Sequence, residues 1–468
     1  MITLPNECYY LIFNNFQHDY KNLFSCSLVN RQWYRIIIPI LWNEPKEHHF
    51  KDIKFIRTSL LTLNAEEQAL LNPFNITLTS HQKPLFEYTS YVTFVSKDYL
   101  DYGVKSWLHY QGYETEYKLA NAVTCSLIVM FLRASKNLKY LSLNELICDK
   151  IIFEKLYENT TVTSMHLYLY NSDFKPKATD ALVNLFYKNS TLTSLNLSSN
   201  QLGPEGIKPL LNALDKNNVL NSLNLSSNQL GLEGIKTLLN ALNKNNVLNS
   251  LNLYNNQIKT EGGMVLAKFL SKNTTLISLD LSSNNLGSDG GKALADALCE
   301  NTTLNSLDLN WNSIGTRGAK ALADALCKNT TLTSLNLSVN KLESEGGKAI
   351  ADALCKNKTL KDLNLYWCVL RSAGGKALAN ALCKNTTLKS LNLELNLLRT
   401  DGGKALAAAL CKNTTLTSLN LRRNELEPEV GKALANALCK NTTMTSLYLG
   451  GDSVNRNNLG SEGGTKIA

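Results

Sequence analysis

From Leu192 to Met444 the chain repeats itself every 28 residues (220 − 192 = 28). Leu192, Leu220, Leu248, Leu276, Leu304, Leu332, Leu360, Leu388, Leu416 and Met444 occupy equivalent apolar positions. A unit of this length cannot bury its own apolar edge, so neighbouring units must stack. Within the unit that begins at Leu276, Leu279 and Leu281 alternate with Ser278, Asp280 and Ser282, the two-residue period of a short strand with one apolar face. Asn284 follows. Its amide both donates and accepts, so equivalent asparagines stacked along the array can satisfy backbone groups in the bend. Ser288-Asp289 before Gly290-Gly291 predicts a helix start, with a hydroxyl cap and an acid near the positive end of the dipole. Ala293, Leu294, Ala297 and Leu298 predict the stripe that this helix turns towards the strands, and the Gly-Gly pairs predict close packing. Lys328-Asn329 predicts a helix end, with a left-handed asparagine.

The run Leu276, Leu279, Leu281, Asn284, Leu286 is the leucine-rich-repeat signature, and a 28-residue unit containing a full helix resembles the ribonuclease-inhibitor type of that repeat. The resemblance covers residues 138–468. It implies an α/β fold, a right-handed horseshoe with a parallel sheet on the concave side and helices on the convex side. Two irregular strands precede the strict array. They begin at Leu138 and Val162, 24 residues apart (162 − 138 = 24) and then 30 from Leu192 (192 − 162 = 30). After Leu449 the next matching residue is Leu459, which predicts a five-residue insertion between Gly450 and Asn458. The helix restarted at Gly460-Ser461-Glu462 stops at Ala468 without a polar cap, so it should fray or need a partner.

A chain of 468 residues with 44% hydrophobic and 19% charged residues has the composition of a soluble globular protein. Its net charge of +9 is mild for this size, and Lys292, Lys320, Lys328, Lys348 and Lys356 sit at repeat-fixed helix ends. That pattern predicts a solvated convex surface rather than binding to nucleic acid. Cys299, Cys327, Cys355, Cys383, Cys411 and Cys439 recur at one repeat position and read as small apolar helix residues. Packed helices stand about 8–10 Å apart, beyond the roughly 7 Å that a disulfide spans. This spacing predicts a reducing compartment, cytoplasmic and/or nuclear. Met1 to Pro5 lacks the basic start and apolar run of a cleavable signal. The apolar run Ala122 to Leu132 is shorter than the about 20 residues that a bilayer requires, so no membrane is expected. Asn-x-Thr triplets such as Asn273-Thr274-Thr275 read as repeat turns.

Residues 1–45 form a separate pattern. Leu4-Pro5-Asn6-Glu7 opens a helix extended by Ile12-Phe13 and Phe16, and Asp19 marks a turn. Leu23, Cys26, Leu28 and Val29 lead into Val29-Asn30-Arg31-Gln32-Trp33, and Pro39 is expected to break the helix before Leu41-Trp42. These residues resemble the F-box: Leu-Pro-x-Glu, an Ile-Phe pair, an acid before a leucine, Val-x-Arg-x-Trp and a closing Leu-Trp. Cys8 and Phe16 depart from the usual aliphatic residues. The resemblance implies docking on a Skp-type adaptor, and through it on a cullin-RING ligase, with Leu4, Pro5, Ile12, Leu23, Val29 and Trp33 contributing to docking or to its support. Trp33 serves the interior equally well on residue type alone. Residues 46–137 read as a linker and irregular N-terminal repeats, with an irregular strand between Leu85 and Val95 and a helix from Ala120 to Leu132. His48-His49 lacks the companions of a metal site. Residues 138–468 are the leucine-rich repeats.

On the strands, the two positions after the second leucine vary while those before it are nearly fixed as Ser with Asn or Asp. Large aromatic and charged residues enter there from Tyr254 onward. Tyr254, Trp311, Tyr366, Trp367, Glu394, Arg422 and Arg423 are therefore the expected protein-substrate strip, on residue types that dominate interfaces. Cys368 replaces the repeat asparagine, which predicts an altered bend after Tyr366-Trp367. No phosphate-binding loop, cofactor motif or catalytic constellation is legible, and all six histidines precede the strict array. The leading expectation is the substrate receptor of a ubiquitin ligase. The alternatives are a non-ligase scaffold or inhibitor with a helical cap, and a GTPase-activating protein built on similar repeats.

Overall fold

A computed structural model describes residues 4–17, 19–43, 50–76, 78, 87–114, 116–144, 150–169, 175–450 and 456–460. They fall in two compact units, Met1–Asn200 and Gln201–Ala468. His48-His49 and the terminal segment 461–468 lie outside the described residues.

The first unit opens with three helices, α1 (Asn6–Asn14), α2 (Tyr20–Ser27) and α3 (Arg31–Asn43). Pro39 does not break α3, contrary to the expectation from its sequence. The carbonyl that loses its donor belongs to Arg35, which is exposed to water, while Ile37, Ile38 and Ile40 are buried and hold the helix in place. At the end of α3, Trp42 stacks on Phe55 and Tyr88, with ring centroids 4.9 and 5.1 Å away. Phe55 belongs to α4 (Ile53–Leu60), which precedes α5 (Ala65–Ala69).

Four parallel strands follow in sequence order: β1 (Phe94–Ser96), β2 (Tyr140–Asn144), β3 (Ser164–Tyr168) and β4 (Ser194–Asn196). Tyr140 pairs with Ser164 and Ser164 with Ser194, which reproduces the 24- and 30-residue spacings. Of the strand expected between Leu85 and Val95, Tyr88–Tyr91 is a short 3-10 turn and the strand begins only at Phe94. Two helices lie between β1 and β2, α6 (Lys97–Tyr110) and α7 (Tyr117–Ala134). The apolar run noted at Ala122–Leu132 belongs to this longer 18-residue helix, which does have the length and composition to cross a bilayer. In the structure it is a core helix. Val123, Leu127, Ile128 and Phe131 are buried in the unit, and the Ser126 hydroxyl donates to the Glu67 carbonyl at 2.7 Å. At its end Arg133 clasps the buried Glu67 carboxylate through Nε at 2.6 Å and Nη2 at 3.0 Å. The same carboxylate caps α5 by accepting the Asn64 backbone N–H at 2.8 Å.

The second unit holds nine three-residue strands: β5 (Ser222–Asn224), β6 (Ser250–Asn252), β7 (Ser278–Asp280), β8 (Ser306–Asp308), β9 (Ser334–Asn336), β10 (Asp362–Asn364), β11 (Ser390–Asn392), β12 (Ser418–Asn420) and β13 (Ser446–Tyr448). They pair parallel in sequence order, and helices alternate with them in a solenoid-like α/β array. The central leucine of each strand from β5 to β12 is buried, and its two neighbours stay partly or fully exposed on the open face of the sheet. The helix Gly287–Glu300 buries Leu294, Ala295, Ala297 and Leu298, with Ala293 at the edge of the stripe. A Cβ built on Gly291 would lie 2.9 Å from Ile314 of the next repeat, so the glycine permits that close approach.

Two asparagine ladders join the repeats. Asn312 donates to the carbonyls of Leu281, Leu309 and Asn310 at 2.8, 3.1 and 3.2 Å. Its Oδ1 accepts the backbone N–H groups of Asn284 at 3.0 Å and Leu286 at 3.3 Å. The second ladder is formed by residues such as Asn329, which reaches back to Leu298 and Asn301 and accepts from Thr331 and Leu332. Asn329 therefore does not take the expected left-handed cap: the helix Gly315–Leu326 ends at Cys327 with φ −68°. Ser288 is likewise not a cap. It lies inside the first turn, and its hydroxyl donates to Ile314 of the next repeat at 2.8 Å. The repeat cysteines are also misplaced by the apolar reading. Cys299, Cys327, Cys383, Cys411 and Cys439 are exposed free thiols, because their position follows the buried stripe and turns outward in the last helical turn.

Cys368 leaves the bend unaltered, against expectation. Its N–H still donates to Asn396 at 3.0 Å, and φ at Trp367 is 51°, close to the 55° of Trp311. The sulfur donates to the Leu337 carbonyl at 3.2 Å, and burial pushes the thiol pKa up to about 12. What the repeat loses is a strong acceptor, since the Asn340 N–H faces sulfur instead of an amide oxygen. Cys368→Asn should therefore stabilise the unit by about 1 kcal/mol in urea unfolding; a loss of stability would show that the sulfur fits the bend better.

The insertion after Leu449 is located more closely. Asn457 accepts from Asn424 N–H at 2.9 Å, 33 residues away where other ladder partners stand 28 apart. The five additional residues (33 − 28 = 5) thus precede Asn457.

Candidate functional site

The three N-terminal helices close on a small core of Phe13, Leu23, Ile37 and Ile40, with Tyr9, Cys26 and Trp33 packed against it. Local caps set the turns. Pro5 accepts at the start of α1 from Cys8 and Tyr9, Asp19 accepts from Asn22 at the start of α2, and Asn30 accepts from Trp33 at the start of α3. Trp33 lies edge-on to Phe13, with centroids 5.0 Å apart and planes at 67°. Of the six residues expected to serve docking, Leu23 and Trp33 are thus interior supports. Leu4 and Pro5 are exposed, as are Ile12 at 44% and Val29 at 61%. Leu11, Phe24 and Leu28 are exposed as well. Leu11 and Phe24 had escaped the sequence reading. Each stands beside a residue counted in an apolar stripe, Ile12 or Leu23, and the neighbour of a stripe residue on a helix points elsewhere. So many exposed apolar side chains in so short a segment mark an interaction surface.

On the second unit, the expected strip residues sit on the open face at the bends after the strands. Trp311 is 59% exposed, Trp367 47% and Tyr254 40%. Both tryptophans have positive φ, but so do Val339 and Leu395 at the same repeat position, so the bend imposes this conformation whatever the side chain. The structure divides the strip. Tyr366, Trp367, Glu394, Arg422 and Arg423 follow the consecutive strands β10 to β12, whereas Tyr254 follows β6 and Trp311 follows β8. Tyr366 and Trp367 meet edge-on at 6.3 Å. Glu394 accepts from Asn420 at 2.9 Å and stands 3.9 Å from the Arg423 guanidinium, while Arg422 lies over the Tyr448 ring at 5.2 Å. Asp280 and Asp308, read in sequence as interchangeable with the repeat asparagine, are brought into register on β7 and β8. Burial, and then the nearby Asp280, push the Asp308 carboxyl above the usual range. Among the described residues no group of three or more His, Cys, Asp or Glu is placed to hold a metal.

Comparison with known proteins finds two family models along the chain. An F-box-like model matches residues 1–47, and a leucine-rich-repeat model matches nine segments: 188–211, 216–239, 244–267, 272–295, 300–323, 328–351, 356–379, 384–407 and 412–435. No curated protein sequence matches the chain. Among solved structures, the leucine-rich repeat-containing protein LegL7 from Legionella pneumophila is 21% identical, covering 67% of this chain and 93% of its own, with a TM-score of 0.39. The Rad7–Elc1 complex of yeast is 16% identical, covering 85% and 94%, also with a TM-score of 0.39. Leiomodin-1 actin-binding site 2 is 27% identical over 28% of this chain and 75% of its own, with a TM-score of 0.25. With an F-box-like helical module ahead of nine recognised leucine-rich repeats, the chain belongs to the F-box/leucine-rich-repeat proteins.

Proposed function

We propose that this chain is the substrate-recognition subunit of a Skp-cullin-F-box ubiquitin ligase. The observation that carries the reading is the N-terminal module, closed around Phe13, Leu23, Ile37 and Ile40 yet leaving Leu4, Ile12, Leu28 and Val29 exposed. An apolar surface on an already closed core has no folding role and suits a Skp-type adaptor. Ile12 and Val29 form the adaptor face with Leu4 and Pro5, and Leu23 and Trp33 hold its shape. The open face of the repeats captures a protein substrate through Tyr254, Trp311, Tyr366, Trp367, Glu394, Arg422 and Arg423. Ubiquitin transfer itself belongs to the partner subunits, and this chain contributes orientation and local concentration.

The test is binding of the full-length chain to purified Skp-type adaptor. Leu4→Asp with Pro5→Ala, and separately Val29→Asp, should weaken it by at least about tenfold, because each places a charge or a gap in the docking surface. The variants should keep native helical content, since Leu4, Pro5 and Val29 lie outside the core. Failure of the folded native chain to bind would overturn the ligase reading and leave a repeat scaffold with a helical cap.

A further inference from the structure

We propose that the open face across β6 to β8 takes up a basic segment of the bound protein, with a lysine or arginine side chain seated between Asp280 and Asp308 and flanked by Tyr254 and Trp311. The proposal rests on the receptor reading above and names the chemistry that its repeat face selects.

At this strand position Asn224, Asn252, Asn336, Asn364, Asn392 and Asn420 surround the two acids, and only β7 and β8 carry a carboxylate. Asp280 and Asp308 are register partners on neighbouring strands, about 4.8 Å apart. Like charges placed so are mutually destabilising. Hydrogen bonds relieve them in part, but no cation does: among the described residues neither forms an ion pair with a lysine or arginine. Asp308 accepts from the Asn310 backbone at 2.8 Å and from the Asn336 amide at 2.8 Å. Asp280 spends one oxygen on the Ser282 N–H and hydroxyl, at 2.9 and 2.5 Å. Its other oxygen forms no hydrogen bond within the described residues. A guanidinium or ammonium group between the two carboxylates would neutralise the repulsion. Tyr254 and Trp311 follow β6 and β8 and are exposed, and aromatic rings attract cations. The neighbouring strand residues Ser278, Ser306 and Ser334 are neutral, so no adjacent cation competes for the place.

The chain as a whole carries +9 and would draw acidic peptides non-specifically. A preference for basic ones therefore has to come from a local site. The experiment measures fluorescence polarisation of full-length protein with labelled Gly-Ser peptides carrying either a central Arg-Lys-Arg or a central Glu-Asp-Glu. The basic peptide should bind more tightly at low salt. Asp280→Asn with Asp308→Asn should reduce its affinity by about tenfold, Trp311→Ala should reduce it by a smaller factor, and neither should change adaptor binding. The double variant carries the residue found in the equivalent strands, so it should fold. Asp308 is held partly against ionisation, so its charge costs stability at neutral pH, and the same variant should be more stable at pH 7. That gain should vanish as pH falls through the raised Asp308 pKa. Preference for the acidic peptide, or a double variant that binds the basic peptide as well as the native chain does, would overturn the proposal. Absence of adaptor binding alongside a retained basic preference would sink the receptor reading instead.

Discussion

Asn312→Ala should destabilise the repeat unit by about 4 kcal/mol. The carbonyls that Asn312 serves each keep another donor: Leu281 retains Asn284, Leu309 retains Asn340, and Asn310 retains the Ser283 N–H. The cost falls instead on the backbone N–H groups of Asn284 and Leu286, which lose the oxygen they share in a region closed to water. Two orphaned buried donors cost about 1–3 kcal/mol each, and the vacated amide volume adds to that. Urea unfolding followed by circular dichroism would measure the loss. A change below about 1 kcal/mol would mean that leucine packing alone holds the repeats in register.

Arg133→Ala should cost the first unit about 3 kcal/mol at pH 7. The Glu67 side chain is only 1% exposed, and its carboxylate would remain buried with the Asn64 N–H as its one hydrogen-bond donor among the described residues. Arg133 itself is 42% exposed, which places the expected loss at the low end for a broken buried pair. Urea unfolding at pH 7 would measure the loss. A deficit below about 1 kcal/mol would show that the Glu67 carboxylate is held well enough without the guanidinium.

The repeat fold is legible from sequence because each unit restates the same constraint, and the strand at Leu279 and the ladder at Asn284 follow from period and residue chemistry. Two of the errors share one origin, a helix end taken as if each repeat stood alone. Ser288 and Asn329 look like caps to a single helix, yet both bond to a neighbouring repeat. Pro39 misleads for a different reason. A proline costs a helix one hydrogen bond and a ring clash with the preceding turn; here the freed carbonyl belongs to exposed Arg35, and the buried isoleucines around Pro39 hold the helix together. At the candidate sites residue type was readable but orientation was not. Leu23 and Val29 are equally apolar in sequence, and only packing places one in the core and the other at 61% exposure. The acid pair escaped because Asp280 and Asp308 are 28 residues apart and become neighbours only through strand register.

The five residues inserted before Asn457 show that the ladder fixes position by an amide and not by chain length. Asn457 still donates to Leu421 and Leu449, at 2.8 Å each, after the longer excursion. The segment between strand and ladder asparagine is therefore a place where the chain can lengthen without displacing the ladder. New loops grafted at the bends that carry Trp311 or Trp367 would enlarge the open face while the ladder beneath keeps its register, so that surface can be altered by local insertion without redesign of the scaffold.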